Sequence, residues 1–217
     1  MFVSPSREDL PAAQDAFARC KLPLVVLDRE TGFEADAICQ DHRQGVATAV
    51  DYLVSLGHRR IALFGPNPAI RPGREKLLGY RDGLRRAGLG YDEALVCMLS
   101  SAIESSAAQM DAMLALAAPP TALIALGTRL LSGALRSARE RGLRIPAQLS
   151  VVGIGTDDAF ALMDPPLTTL RFDIEGAAHA AAELMLERVE GRAPEARRSV
   201  HVPLALTIGA SCAAPAR

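Results

Sequence analysis

Polar side chains directly follow several short apolar runs, and their chemical types suit recognition of a small hydroxylated molecule. These residues are Asp28, Gln40, Asp41, Thr128, Thr156 and Asp157. In open α/β sheets, ligands bind outside the carboxyl ends of the strands, where such acceptors would meet the hydroxyls of a sugar. Taken singly, each residue equally suits a helix N-cap or a turn. The hypothesis of a binding site therefore depends on their convergence.

Residues that could support catalysis or hold a cofactor form no recognisable pattern. Gly153 and Gly155 follow an apolar run, but Asp158 occupies the position of the third glycine in the G-x-G-x-x-G dinucleotide fingerprint. The four histidines lack the spacing of a metal site, and no serine lies in a G-x-S-x-G motif. An NAD-type enzyme is thus the least supported alternative, and the sequence predicts neither an enzyme nor a cofactor or metal.

The elements that would position the polar residues alternate between strand-like and helix-like patterns. Short apolar runs predict strands at residues 22–27, 61–64, 94–99, 121–126 and 149–152, and within 200–208. Amphipathic spacing and glycine stops predict helices at residues 43–56, 73–87, 103–117, 128–141 and 174–190. The alternation is typical of βα units, so the predicted fold class is α/β with a parallel sheet. The Pro-rich residues 163–167 are predicted to cross between lobes, because Pro-Pro is stiff and lacks N–H donors.

Composition and charge exclude several classes of protein. The chain has 217 residues, 49% of them hydrophobic, which excludes disorder because burial can offset the chain entropy. Its apolar runs are far shorter than the ~20 residues of a membrane span. With 24 basic and 25 acidic residues, these residues alone are not expected to bind DNA. Four scattered cysteines and the lack of a signal-peptide pattern predict a cytoplasmic protein.

Several motifs occur in the order found in the effector-binding core of the LacI/GalR family of bacterial transcriptional regulators. They are LPLVVLDR at residues 22–29, LGHRRI at 56–61, LGYRDGL at 78–84, RGLRIP at 141–146, SVVG at 150–153 and PPLTTL at 165–170. Each motif is weakly specific alone. Their number and order make residues 22–211 resemble that family.

The resemblance implies a two-lobed, periplasmic-binding-protein-like type I fold with parallel sheets and the effector in the cleft between the lobes. An incomplete N-terminal lobe would comprise residues 1–40 and 172–205, and the C-terminal lobe residues 41–171 and 206–217. Members carry an N-terminal helix-turn-helix before the point that residue 1 matches. We therefore expect this chain to lack the DNA-reading part.

The resemblance also adds residues to the candidate effector site. Lys76 stands where the family usually has an arginine, and the neighbouring Arg74 could compensate for that change. Asp173 lies at the second expected crossing between lobes, and Gly127-Thr128 replaces the family's usual Asn-Asp. The full candidate set is Asp28, Gln40, Asp41, Arg74, Lys76, Thr128, Thr156, Asp157 and Asp173.

Two functions follow as expectations. The first is a LacI-type regulator whose effector-sensing and dimerisation core binds a small polar metabolite, such as a sugar, and couples it to operator binding. Its partners would be the effector, a second copy in a homodimer, and DNA only through a helix-turn-helix absent from this chain, with no membrane. The alternative is a stand-alone cytoplasmic sugar-binding module without DNA binding.

Overall fold

A computed structural model describes residues 2–3, 15–17, 19, 22–30, 33–99, 103–155 and 160–216. The helices are α1 His42–Ser55, α2 Arg71–Arg86, α3 Ile103–Leu114, α4 Thr128–Glu140 and α5 Ile174–Val189. The strands are β1 Phe2–Val3, β2 Val25–Leu27, β3 Asp36–Gln40, β4 Ile61–Pro66, β5 Val96–Leu99, β6 Ala122–Ala125, β7 Ser150–Ile154, β8 Thr168–Phe172, β9 Ser199–Val202 and β10 Leu204–Thr207.

The strands form two sheets. The first has four parallel strands in the order β1-β2-β3-β9. The second has six strands in the order β10-β8-β7-β6-β4-β5, all parallel except the antiparallel pair β8 and β10. This arrangement confirms the predicted α/β fold class with predominantly parallel pairing.

The chain passes between the two sheets at three places. After β3 ends at Gln40, the chain enters α1, which packs on β8 and β10 of the six-stranded sheet. After β8 ends at Phe172, it enters α5, which packs on the four-stranded sheet. The third passage lies between Val202 and Leu204, the end of β9 and the start of β10. Any ligand near these passages would contact segments that join both sheets.

Two sequence predictions were wrong in detail. Residues 163–167 do not cross between lobes, since they lie between β7 and β8, which are adjacent parallel strands of one sheet. The single strand predicted within residues 200–208 is two strands in different sheets. Pro203 lies between them and has no N–H to continue the first ladder.

The six-stranded sheet is covered by helices on both faces, whereas the four-stranded sheet has a thinner core. Buried residues of α1 and α2 pack on one face of the larger sheet, and those of α3 and α4 on the other. The helices α1 and α2 approach closely, since a Cβ at Gly79 would lie 2.2 Å from the Arg43 carbonyl oxygen. On the smaller sheet, only Ala181 and Leu184 of α5 are fully buried. The smaller sheet therefore leaves more of its covering helix open to a ligand or partner.

Candidate functional site

Asp28 is the centre of the candidate site, where β2 ends and the chain turns. Its backbone has φ +53°, and its N–H donates to the carbonyl of Ile38 at 2.7 Å, which fixes the turn beside β3. One carboxylate oxygen accepts the N–H of Gln40 at 3.2 Å. The left-handed backbone is one that Asp tolerates better than most residues. The turn thus aims the carboxylate at the passage from β3 to α1.

His42, the first residue of α1, holds the second oxygen of this carboxylate. Its Nε2 lies 2.7 Å from Asp28 Oδ2, and the ring is 1% exposed. Burial lowers the pKa of His42, although the hydrogen bond to Asp28 opposes that effect. The ring is therefore neutral at pH 7 and donates from Nε2, while its buried Nδ1 has no partner in the part of the chain that the structure describes. Burial alone would raise the pKa of Asp28, but His42, Gln40 and Arg71 together lower it, so Asp28 is ionised.

Arginines at the start of α2 reach this turn from the other sheet. Arg71 Nη1 donates to Asp28 Oδ1 at 2.8 Å and approaches the Gln40 carbonyl at 3.4 Å, and its side chain is 11% exposed. One turn later, Arg74 pairs with Glu30. Because α2 packs on the six-stranded sheet while Asp28 and Glu30 follow a strand of the four-stranded sheet, both ion pairs join the two lobes. We call Asp28, His42, Arg71 and Gln40 the cross-lobe cluster.

Lys76 lies deeper, beneath the cross-lobe cluster. It is 6% exposed, and the one hydrogen bond described for its ammonium is a donation to the Leu126 carbonyl at 3.3 Å, at the end of β6. Burial lowers the pKa of Lys76 to about 8, although the charge of Asp28 opposes that effect. Within the cluster, Gln40 Oε1 is buried and has no hydrogen-bond partner among the described residues. Among the described residues, the region thus contains a buried ammonium with one hydrogen bond and a buried acceptor with none.

The other candidates occupy capping or exposed positions. Asp41 accepts the Gln44 N–H at 3.1 Å as the N-cap of α1, and Asp173 accepts the Gly176 N–H at 2.8 Å as the N-cap of α5. Thr128 is exposed at the start of α4. Thr156 and Asp157 lie outside the described residues. The structure therefore brings together Asp28 and Gln40 with Arg74 and Lys76 nearby, while it gives the two N-cap aspartates local helix contacts.

Comparisons with known proteins match this architecture. Residues 50–212 match the family described as periplasmic binding protein-like domain. The chain belongs to this family. It is 30% identical to the HTH-type transcriptional regulator MalR of Streptomyces coelicolor, over 99% of this chain and 64% of that protein. Against the structure of a LacI-family regulatory protein from Chloroflexus aggregans it has a TM-score of 0.87 with 29% identity, over 97% of this chain and 75% of that one.

A second solved structure is a complex of the transcriptional regulator CelR with cellobiose. Its TM-score against our chain is 0.85 with 27% identity, and the match covers 97% of our chain and 64% of the CelR chain. These comparisons confirm the resemblance to the effector-binding core of LacI/GalR regulators. The chain spans about 64% of MalR and of the CelR chain. The relatives are transcriptional regulators, as the order of the family motifs led us to expect.

Sequence reasoning missed two important members of the cross-lobe cluster. Arg71 and His42 were not among the candidates, yet both contact Asp28. Each is the first residue of a helix, and the two helices follow strands of different sheets. This position at a helix start was the feature of the sequence that could have identified them. Among the described residues, no group of His, Cys, Asp and Glu is placed to hold a metal ion, and no helix there is long and apolar enough to cross a membrane.

Proposed function

We propose that this chain is the effector-sensing and dimerisation core of a LacI-type transcriptional regulator acting in the cytoplasm. The two lobes would be residues 1–40 with 172–205 and residues 41–171 with 206–217. A small polar metabolite such as a sugar would bind between them. The observation that carries the proposal is the Arg71–Asp28 ion pair. Arg71 belongs to one lobe and Asp28 to the other, so the pair forms only when α2 lies against the end of β2.

The proposed mechanism is a shift between two lobe arrangements. A ligand moves such an equilibrium only by binding one arrangement more tightly than the other. Arg71 and Arg74 stabilise the closed arrangement through Asp28 and Glu30. A ligand that adds contacts at Gln40 or Lys76 in that arrangement would favour it further, and operator affinity would change through the same equilibrium.

The test is a ligand screen with matched variants of α2. A sugar present at about 100 Kd should stabilise the protein by roughly 2.7 kcal/mol in thermal unfolding. Arg71→Gln should weaken binding of the stabilising sugar. It should also enlarge the radius of gyration in X-ray scattering, because it removes an ion pair between the lobes. Arg85→Gln is the control, because Arg85 lies on the same helix with 78% of its side chain exposed. If no sugar or other polar metabolite stabilises the wild-type protein, the effector role is wrong.

We assign operator binding to a segment outside these 217 residues. The formal charge of −1 supports this assignment, because DNA-binding modules gain most of their affinity from basic residues that neutralise phosphates. In a gel-shift experiment at low salt, this chain alone should leave duplex DNA unshifted. A shift that falls steeply with added salt would contradict the assignment.

We assign the dimer contact to the surface beside α4. A cavity of about 740 Å³ lies there between α4 and residues 163–167, and the neighbouring Leu162 is 86% exposed. Leu162→Glu should convert a dimer into a monomer in light scattering. Leu186→Glu, at a 56% exposed leucine on α5, is the control. A monomeric wild-type protein, or an unchanged Leu162→Glu dimer, would contradict this assignment.

A further inference from the structure

A cavity of about 580 Å³ lies between α5 and the carboxyl ends of β2 and β3. We call it the α5 cavity. Its described apolar lining residues are Leu27, Ile38, Phe172, Ile174, Ala177, Ala178, Ala181 and Ala182, and its polar lining residues are Asp28 and Gln40. This volume is within the range of small-molecule sites, which combine apolar walls with a few polar groups.

The walls of the α5 cavity favour a ring over a fully hydroxylated molecule. Four alanines of α5 supply short side chains, and the ring of Phe172 supplies an aromatic surface. These side chains cannot hydrogen-bond hydroxyl groups, so a sugar buried against them would leave several hydroxyls unpaired at a substantial cost. A flat apolar ring would instead be stabilised by the hydrophobic effect, because its binding removes apolar surface from water. Part of that surface belongs to Ile174, which is 58% exposed.

The polar end of the α5 cavity presents acceptors. Gln40 is one of its lining residues, and the Oε1 atom of Gln40 is buried without a partner among the described residues, so a small rotation of the side chain would bring an unused acceptor to a donor in the cavity. The Asp28 carboxylate is ionised and already accepts from Gln40, His42 and Arg71. A carboxylate has about four acceptor positions, so one remains. An N–H or O–H donor would suit both residues, whereas an anionic group placed there would meet the charge of Asp28.

We propose that the α5 cavity binds a flat apolar ring that carries an N–H or O–H donor. The ring lies between the α5 alanines and Phe172, and the donor reaches Gln40 Oε1. This inference rests on the proposed effector role and specifies the chemical class of the effector. Gln40 and Phe172 end β3 and β8, where the chain passes between the sheets, so an occupied cavity contacts two of the three passages.

The first experiment compares pairs of probes that differ by a ring. Isothermal titration calorimetry is carried out with 4-hydroxyphenyl β-D-glucoside against methyl β-D-glucoside, and with adenosine against ribose. We expect at least one ring-bearing member to bind at least tenfold more tightly than its partner. If the ring-free members bind equally well or better, the inference is wrong while the proposed effector role stands. If no probe binds, and the sugar screen described above also fails, both are wrong.

The second experiment locates the bound ring. Ala178→Leu places a larger side chain in the α5 cavity at an exposed helix position and should weaken ring binding at least tenfold. Ala108→Leu, at an exposed position of α3, is the control and should bind as the wild type does. Gln40→Leu should reduce the preference for donor-bearing rings. If Ala178→Leu binds the ring as tightly as the wild type does, the ring binds elsewhere and the inference is wrong. If this variant instead converts a dimer into a monomer in light scattering, a second copy of the chain covers the cavity.

Discussion

Replacement of Lys76 by methionine should stabilise the folded protein. The Lys76 ammonium is buried, and burial lowers its pKa from 10.5 to about 8. At 1.36 kcal/mol for each pKa unit, folding disfavours the charged form by about 3 kcal/mol. Lys76→Met keeps an unbranched side chain but loses the hydrogen bond to the Leu126 carbonyl, worth about 1 kcal/mol. The expected net gain at pH 7 is about 2 kcal/mol, or roughly 4–8 °C in Tm for a chain of this size.

The pH dependence identifies the charge as the cause. Because the folded pKa lies below the unfolded one, the penalty is complete below pH 8, decreases between pH 8 and 10.5, and is absent above that range. The unfolded chain binds more protons there, so wild-type stability rises with pH relative to the variant. The advantage of Lys76→Met should therefore disappear by about pH 10.5.

The assay is urea unfolding of wild type, Lys76→Met and Arg85→Met at pH 7 and pH 10. Arg85 is a suitable control because its side chain is 78% exposed, so its replacement should change stability by less than about 0.5 kcal/mol. An equal gain at both pH values would attribute the effect to packing alone. A loss of stability at pH 7 would refute the reasoning, because it would mean that the folded protein compensates the ammonium fully.

Three further predictions concern the elements that position the site. Asp36→Asn should lower the free energy of unfolding in urea by about 3–5 kcal/mol. The fully buried Asp36 carboxylate pairs with both Nε and Nη2 of Arg188 and thereby holds α5 to β3. A loss below 1 kcal/mol would contradict this role. Gly79→Ala should cost about 3 kcal/mol or more, since its Cβ would clash with the Arg43 carbonyl, whereas Gly90→Ala, which meets open space, should be neutral in the same assay. Burial lowers the pKa of His42, so the unfolded chain binds more protons below about pH 6.5 and stability should fall from pH 7 to pH 5; His42→Gln should reduce that slope in thermal unfolding, and an unchanged slope would contradict it.

The sequence predicted the architecture better than it predicted the contacts of the site. Apolar runs identified β4 and β6, because a central parallel strand is buried on both faces. They missed β8, where the buried Thr168 and Thr169 interrupt the apolar pattern. The hydroxyl of Thr168 accepts the Gly209 N–H at 3.0 Å, a contact between residues 41 positions apart. Such long-range satisfaction of a buried polar group leaves no local signal.

The same distinction separates the candidate residues. Asp28 and Asp41 were predictable because an acidic residue at a strand end is a local feature, although Asp41 acts as an N-cap. Asp173 was predicted only from the family resemblance, which places it at a crossing between lobes, and it also acts as an N-cap. Arg71 was not predictable in this way, since it contacts Asp28 from 43 residues away and from the other lobe. Local pattern therefore identified the acceptors, and only the fold identified their cationic partners.

The cross-lobe cluster and Lys76 together suggest how ligand binding could be coupled to closure. Asp28 and Arg71 satisfy each other in the lobe arrangement of this structure, so a ligand gains little by competing for either charge. Among the described residues, Lys76 donates one hydrogen bond and Gln40 Oε1 accepts none, and for Lys76 burial carries a penalty of about 3 kcal/mol. A ligand that binds these groups only when the lobes are closed would recover part of that penalty in that state alone. Such a difference in affinity between two arrangements is what a population shift requires. We therefore expect Lys76→Met to gain stability and to lose ligand-induced closure in X-ray scattering, and a variant that gained stability yet closed normally with ligand would separate Lys76 from the switch.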